Sequence, residues 1–368
     1  MKHLVALLSL IVTTSCSAQI NEQAVAGKWL TDVNGISLLN PQSSGYTWRH
    51  NEIVHIGDNS ADVTMRNKLL RVNPHSAQLN AEPIQITVAD NVLKGCFGEL
   101  FSKYPDFEAL TWDRVDDTVF ISVTEDSSFV TLTPECKAQY GQTNATDYPT
   151  LLVKIETDKA LTKAQITQVR PVQFPASAHV GNFSNDGIEG LALDNAGNLY
   201  LALEQNAANA PMIFKTRYGA EFWQQDGYVS LTDTGFALPL PDNKDHPIND
   251  LDYLPSPKAG HPGYLVAVAR NDDQLWIIDI SQQQVPFVQQ MAYYAPTGAD
   301  SICPAYEKMV QTAVEGVAVH DDMLYLVNDA WKQRYSDNIK CPANAENFNK
   351  FAPLQFKVPV NPLWFSTN

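Results

Sequence analysis

Short apolar runs broken by turn-forming residues recur along this chain. Ile53 to Gly57, Val119 to Val123, Leu199 to Leu203, Tyr264 to Val268 and Met323 to Val327 are rich in β-branched, aliphatic and aromatic residues. Each follows another short apolar stretch, and polar links such as Asn195-Ala196-Gly197-Asn198 and His320-Asp321-Asp322 stand between the two. Two such runs joined by a Gly-, Asn- or Asp-rich turn predict a β-hairpin. Leu151 to Ile155, Gln274 to Ile280 and Leu354 to Val358 predict further strands.

The hairpins repeat. Their first strands open with Ser44-Gly45-Tyr46, Glu108-Ala109-Leu110, Glu189-Gly190-Leu191, Asp250-Leu251-Asp252 and Glu315-Gly316-Val317. In most units a polar or acidic residue is followed by a small one, at intervals of 61 to 81 residues. A repeat of that length holding three or four strands predicts a propeller blade, a sheet that cannot bury both faces alone and so stacks around an axis. The expected fold class is all-β: a single-domain β-propeller over residues 19–368 with five or six blades. An open sandwich would not need the same dipeptide in the same place of each unit. Five blades are counted directly. A sixth would lie in the interval between Glu108 and Glu189, or be assembled from residues 20–42 and the C-terminal end. Lys28-Trp29-Leu30 is the candidate closing strand, with Pro362-Leu363-Trp364-Phe365 as its neighbour.

An antiparallel hairpin returns to the end from which it started. The start of each first strand therefore lies beside the end of the second. This groups Ser44 with Asp58 and Asn59, Glu108 with Glu125 and Asp126, and Glu189 with Glu204 and Asn206. It also groups Asp250 with Asn271 and Asp272, and Glu315 with Asn328 and Asp329. With the hairpins innermost, all five groups converge on one mouth of the central channel. Crowded carboxylates oppose one another's ionisation unless a cation intervenes, and hard oxygen donors suit Ca²⁺. A Ca²⁺ site is expected there, with Glu108, Glu189, Asp250, Glu315, Asn271 and Asn328 as candidate ligands. The competing structural reading is that a recurring acid caps its turn by accepting backbone N–H bonds from the next blade.

Composition narrows the partners. The chain has 368 residues, 44% hydrophobic and 18% charged, and 25 Lys+Arg against 41 Asp+Glu leave a net charge of −16. So acidic a surface repels phosphate backbones, which argues against nucleic acid. Leu4 to Val12 is an apolar run too short to span a bilayer and of the length of a signal-peptide core, so residues 1–18 are read as an export signal. One candidate cut precedes Cys16, resembling a bacterial lipobox and implying lipidation there; the other follows Ala18. No other stretch is long and apolar enough to span a membrane. The expected location is the periplasm or the outer membrane as a lipoprotein, with secretion as the alternative.

Four cysteines remain: Cys96, Cys136, Cys303 and Cys341. In an exported chain an even number predicts disulfides. Three pairings exist, and Cys96–Cys136 with Cys303–Cys341 is favoured on the reading that each pair falls within one repeat unit. No G-x-S-x-G, H-E-x-x-H, P-loop or G-x-G-x-x-G occurs. His246, near the expected mouth, is a candidate general base, as are Glu125 and Glu204. Arg270 could hold a phosphate or carboxylate bidentately, and Trp331 and Arg334 could form a ligand wall.

At Glu189-Gly190-Leu191-Ala192 and Glu315-Gly316-Val317-Ala318, each followed by a Leu-Tyr-Leu, the chain resembles the esterase-like phytase domain family of exported bacterial propellers. Ser44 to Trp48 with Asp58-Asn59-Ser60 looks like that family's first blade. The Glu-Gly pattern is also similar to gluconolactonase-type calcium propellers. The resemblance implies a Ca²⁺-supported hydrolase of phosphate esters or lactones. The alternative is a propeller that binds a ligand or an envelope protein without chemistry.

Overall fold

The computed structural model describes residues 22–103, 105–125, 127–145, 148–182, 187–239, 248–298 and 302–366. Each repeat folds as an antiparallel sheet that runs outward in chain order. Blade one is Ser43–Arg49, Glu52–Gly57, Lys68–Val72 and Ile84–Val88. Blade two is Phe107–Trp112, Val119–Thr124, Leu151–Thr157 and Ala164–Gln173. Blade three is Ile188–Leu193, Asn198–Leu203, Met212–Arg217 and the short Thr232–Asp233. Blade four is Asp250–Leu254, Tyr264–Ala269, Gln274–Asp279 and Phe287–Pro296. Blade five is Val314–His320, Met323–Asn328 and Leu354–Pro359.

The first strand of each blade packs between the first strands of its two neighbours, and the circuit closes from blade five back to blade one. The ring is five-bladed among the described residues. The interval offered for a sixth blade is taken up by the helix Pro134–Tyr140 and by the ten-residue outer strand of blade two. Residues before blade one add edges to existing sheets instead of building a new one. Gln23–Ala26 runs parallel to the outer strand of blade four, and Lys28–Trp29 pairs antiparallel with blade five, Lys28 facing Gln355 and Trp29 facing Leu354. The closing strand was legible, but its neighbour was not. Pro362–Phe365 is a 3₁₀ turn, not a strand, because two prolines bracket the stretch Pro359 to Pro362 and remove ladder donors.

Alternation along each strand splits the core among the blade interfaces. On Met323–Asn328, Leu324 and Leu326 face blade four, where they meet Val266, Ile277 and Tyr293. Tyr325 and Val327 face blade one, where they meet Tyr46, Ile53 and Leu70. Three further clusters fill the interfaces of blades one and two, two and three, and three and four. A blade sheet thus buries both faces, which requires the continuous apolar strands seen in the sequence.

Both disulfides form in the expected pairing, Cys96–Cys136 and Cys303–Cys341. Neither pair falls within one repeat unit, contrary to the expectation behind that pairing. Cys96 follows blade one and Cys136 lies in the helix inserted in blade two. Cys303 follows the outer strand of blade four and Cys341 lies in the insertion between the second and third strands of blade five. Each bridge clips one blade's insertion to its neighbour's. Two disulfides fit an oxidising compartment. No helix among the described residues is long and apolar enough to cross a membrane.

Candidate functional site

The recurring acid owes its position to a β-bulge. In four blades the pairing of first and second strands slips by one residue: between Ser43 and Gly45, Phe107 and Ala109, Ile188 and Gly190, and Val314 and Gly316. The extra residues are Ser44, Glu108, Glu189 and Glu315. A bulge frees one residue from the ladder and re-aims its side chain. The small residue that follows lets the adjacent blade close in. A Cβ on Gly45 would lie 2.6 Å from the Leu110 nitrogen, one on Gly190 2.7 Å from the Leu251 nitrogen, and one on Gly316 2.8 Å from Tyr46 Cβ. The dipeptide is therefore two devices in sequence: the first residue points a side chain, and the second permits blade contact.

Blade four has no slip; Asp250 and Leu251 stay in regular register with Val268 and Ala267. Asp250 accordingly does not join the carboxylates. Its Oδ1 accepts the Leu251 N–H and its Oδ2 accepts the Val317 N–H, each at 2.7 Å, so it links the inner strands of blades four and five. Asp252 repeats the arrangement with the N–H groups of Tyr253 and Val319. This is the turn-capping role weighed against metal ligation, realised at one of the expected ligands.

The bulged glutamates do converge. Carboxylate oxygens of Asp106, Glu108 and Glu125 lie within 4.8 Å of one another, and so do those of Glu125, Glu189 and Glu204. Glu125 belongs to both trios. One of its oxygens accepts the Gly187 N–H at 2.9 Å, while Asp106 accepts the Asn59 N–H at 2.9 Å. Glu108, Glu189 and Glu204 are all buried. Burial, then repulsion from the neighbouring carboxylates, pushes Glu108 and Glu189 well above the ordinary carboxylate range and Asp106 up to about 7. Asp58 is raised by burial, and Asp329 is raised to about 7 by burial and then by the charge of Asp58.

Two cations stand at the rim. Arg270 pairs with Glu315, and its charge also reaches Glu189 and Asp329. Lys332 donates to Ser60, and its charge reaches Asp58 and Asp329. Gln42 donates to Asp329 at 2.6 Å. Beside this rim, Arg270, Asn271 and Trp331 line a cavity of about 200 Å³ together with Gln311 and Thr312. Three residues expected at the site thus share one pocket wall.

Other expected residues are placed elsewhere. Asn328 is fully buried; its Oδ1 accepts the Leu354 N–H at 2.7 Å and its Nδ2 donates to the Asp329 carbonyl at 3.1 Å, which ties blade five together. Arg334 forms a surface ion pair with Asp337 at 2.8 Å. His246, Cys16 and Asp126 lie outside the described residues. Asp106 was missed by sequence reasoning. It precedes the bulge by two residues, where the other blades carry Gln42, Gly187, Ile248 and Ala313, so no repeat signal marks it.

Five blades around one channel, with an acid-lined mouth, define the protein as a β-propeller. No family model and no curated protein matches the chain. Among solved structures, a luciferin-regenerating enzyme aligns over 91% of this chain and 95% of its own at 9% identity and a TM-score of 0.44. The PQQ-bound aldose sugar dehydrogenase of Streptomyces coelicolor aligns over 90% and 96%, at 9% identity and a TM-score of 0.36. The periplasmic gluconolactonase of Pseudomonas aeruginosa aligns over 78% and 61%, at 10% identity and a TM-score of 0.33. Likeness of this degree carries no argument about activity, and the fold assignment rests on the ring itself.

Proposed function

We propose that the carboxylate mouth binds Ca²⁺ and, so loaded, hydrolyses small phosphate esters or lactones. The observation that carries the reading is the shared Glu125, whose two trios bring oxygens within 4.8 Å of each other in a buried setting. Each Ca–O bond is about 2.3–2.6 Å, so oxygens that close can touch one ion. Glu189, Glu204 and Glu125 would form one ligand set, with Glu108 and Asp106 beside them. Glu315 is engaged by Arg270, which leaves it at the rim. When bound, the cation would polarise a phosphoryl or carbonyl oxygen and lower the pKa of water. The Arg270 guanidinium and the Trp331 ring, lining the adjoining cavity, would orient an anionic substrate against that centre. The resemblance of Glu-Gly-Leu-Ala and Glu-Gly-Val-Ala to esterase-like phytase propellers supports the phosphate-ester choice.

The test is a Ca²⁺ titration followed by melting, together with turnover of p-nitrophenyl phosphate and a six-membered lactone with and without chelator. A hundredfold excess over Kd should add about 2.7 kcal/mol of stability. Glu189→Gln should abolish that gain while the fold persists. Absence of any shift at millimolar Ca²⁺ sinks the metal site. A retained shift with no turnover favours the second reading, a ligand-binding propeller, for which the Arg270–Trp331 cavity is the support. Export with lipid on Cys16 remains part of the proposal, and the mass of the mature N-terminus separates a cut before Cys16 from one after Ala18.

A further inference from the structure

We propose that the opposite mouth of the channel is a binding site for a neutral sugar ring. This site is independent of the carboxylate mouth and is built from the far ends of the same inner strands. There Trp48, Trp112, Tyr253, His50, His320 and Arg114 line a cavity of about 370 Å³, a size that takes one small ligand. The aromatic groups are held in place by one another. Trp48 stacks on His320 with ring centroids 3.8 Å apart and planes within 6°, and Trp112 meets His50 edge-on at 5.1 Å. The Arg114 guanidinium lies over the Tyr253 ring at 5.7 Å.

The charged groups of this cup each have a polar neighbour. Arg114 faces the buried Asp252, whose carboxylate is anchored by two backbone N–H groups. His50 stands 3.8 Å from Asp117, and His320 stands 3.3 Å from Asp321. What remains is a set of flat aromatic faces ringed by hydrogen-bonding groups. An anion would meet the carboxylate of Asp321 on the wall, and a cation the guanidinium of Arg114. A hydrophobic ligand would strand the rim donors and acceptors without partners. A sugar ring has one apolar C–H face and an edge of hydroxyls that both donate and accept, so it satisfies both features at once.

The experiment is a titration of the intact protein, followed by tryptophan fluorescence and calorimetry, with cellobiose, lactose, N-acetylglucosamine and glucuronate. At least one neutral sugar should bind saturably. Trp112→Ala should weaken it about tenfold or more, by loss of the stacking surface. Arg114→Ala, which removes the guanidinium over the Tyr253 ring, should weaken it about fivefold. Glu204→Gln, at the other mouth, should leave sugar affinity unchanged, so failure of the calcium reading and failure of this one are distinguishable. No saturable signal from any neutral sugar up to about 20 mM overturns the proposal. Preference for glucuronate, or binding that survives both substitutions, overturns it as well.

Discussion

The two mouths of the channel are made by opposite ends of the same five strands, and they solve the burial of polar groups in opposite ways. At one end, Asp58, Asp106, Glu108, Glu125, Glu189, Glu204, Glu315 and Asp329 crowd together, and Arg270 and Lys332 oppose them among the described residues. At the other, the few charged groups have polar neighbours and the space between is aromatic. The first arrangement is costly unless a cation enters, because buried like charges resist ionisation. The second is complete as it stands and asks only for a ligand that fits. Unbalanced charge and balanced polarity at the ends of one ring therefore point to different visitors.

The comparison can be broken outright by attacking what both ends share. Gly190→Val would place a side chain 2.7 Å from the backbone of blade four, so the inner ring must open. The expected loss is about 3 kcal/mol or more, read as a lowered denaturant midpoint, with both mouths disabled together. A less drastic way is pH. In calcium-free protein the raised carboxylates hold protons that the unfolded chain releases at ordinary carboxylate values. Between about pH 4 and 7 the folded state binds more protons, so stability rises as pH falls through that window. His55 opposes this. Burial depresses its ring to about 3, so the unfolded chain takes up a proton there first and stability drops as pH falls below about 6.5.

The raised carboxylates outnumber the one imidazole until the unfolded chain's own carboxylates take up protons, so urea midpoints in chelator should rise as pH falls from 7.5 and peak near about pH 4. Saturating Ca²⁺ should flatten that limb, and His55→Leu should move the peak to lower pH. A flat profile in chelator would mean that the acid mouth carries no unbalanced charge. Arg270→Gln sharpens the contrast further. Removing the cation between Glu189, Glu315 and Asp329 should cost about 2 kcal/mol without Ca²⁺ and less with it, measured by the same midpoints. The smallest effect belongs to neither mouth: Arg334→Ala, which breaks an exposed pair, should change stability by about 0.5 kcal/mol or less.

Much of this was legible in the order of residues. The Glu-Gly and Ser-Gly dipeptides mark bulge and close approach, both enforced by backbone geometry, so they recur wherever the geometry does. Lys28-Trp29 was readable as a closing strand because a ring is commonly closed by a strand from one terminus and this stretch lies outside the repeats. Asp250 misled because its place in the repeat matches that of Glu189 while its backbone does not slip; the Leu251 that follows it, where the bulged residues are followed by Gly or Ala, is the local mark of that difference. Asn328 misled for a related reason. It ends a second strand as expected, but its side chain turns to the third strand, whose backbone N–H it satisfies. Asp106 was invisible because its contribution depends on one blade alone. The aromatic mouth was also overlooked, because Trp48 and Trp112 read equally well as core residues until the strand ends are placed around a common axis.

The pairing of Trp29 with Leu354 has a consequence for the order of events in folding. A chain made from its N-terminus delivers this strand long before its partner exists. The early segment must wait, unpaired, through the synthesis of every other blade, and circular closure becomes the last step by necessity. Until then both ends of the channel are open crescents, and any visitor that needs all five walls can be held only by a finished molecule.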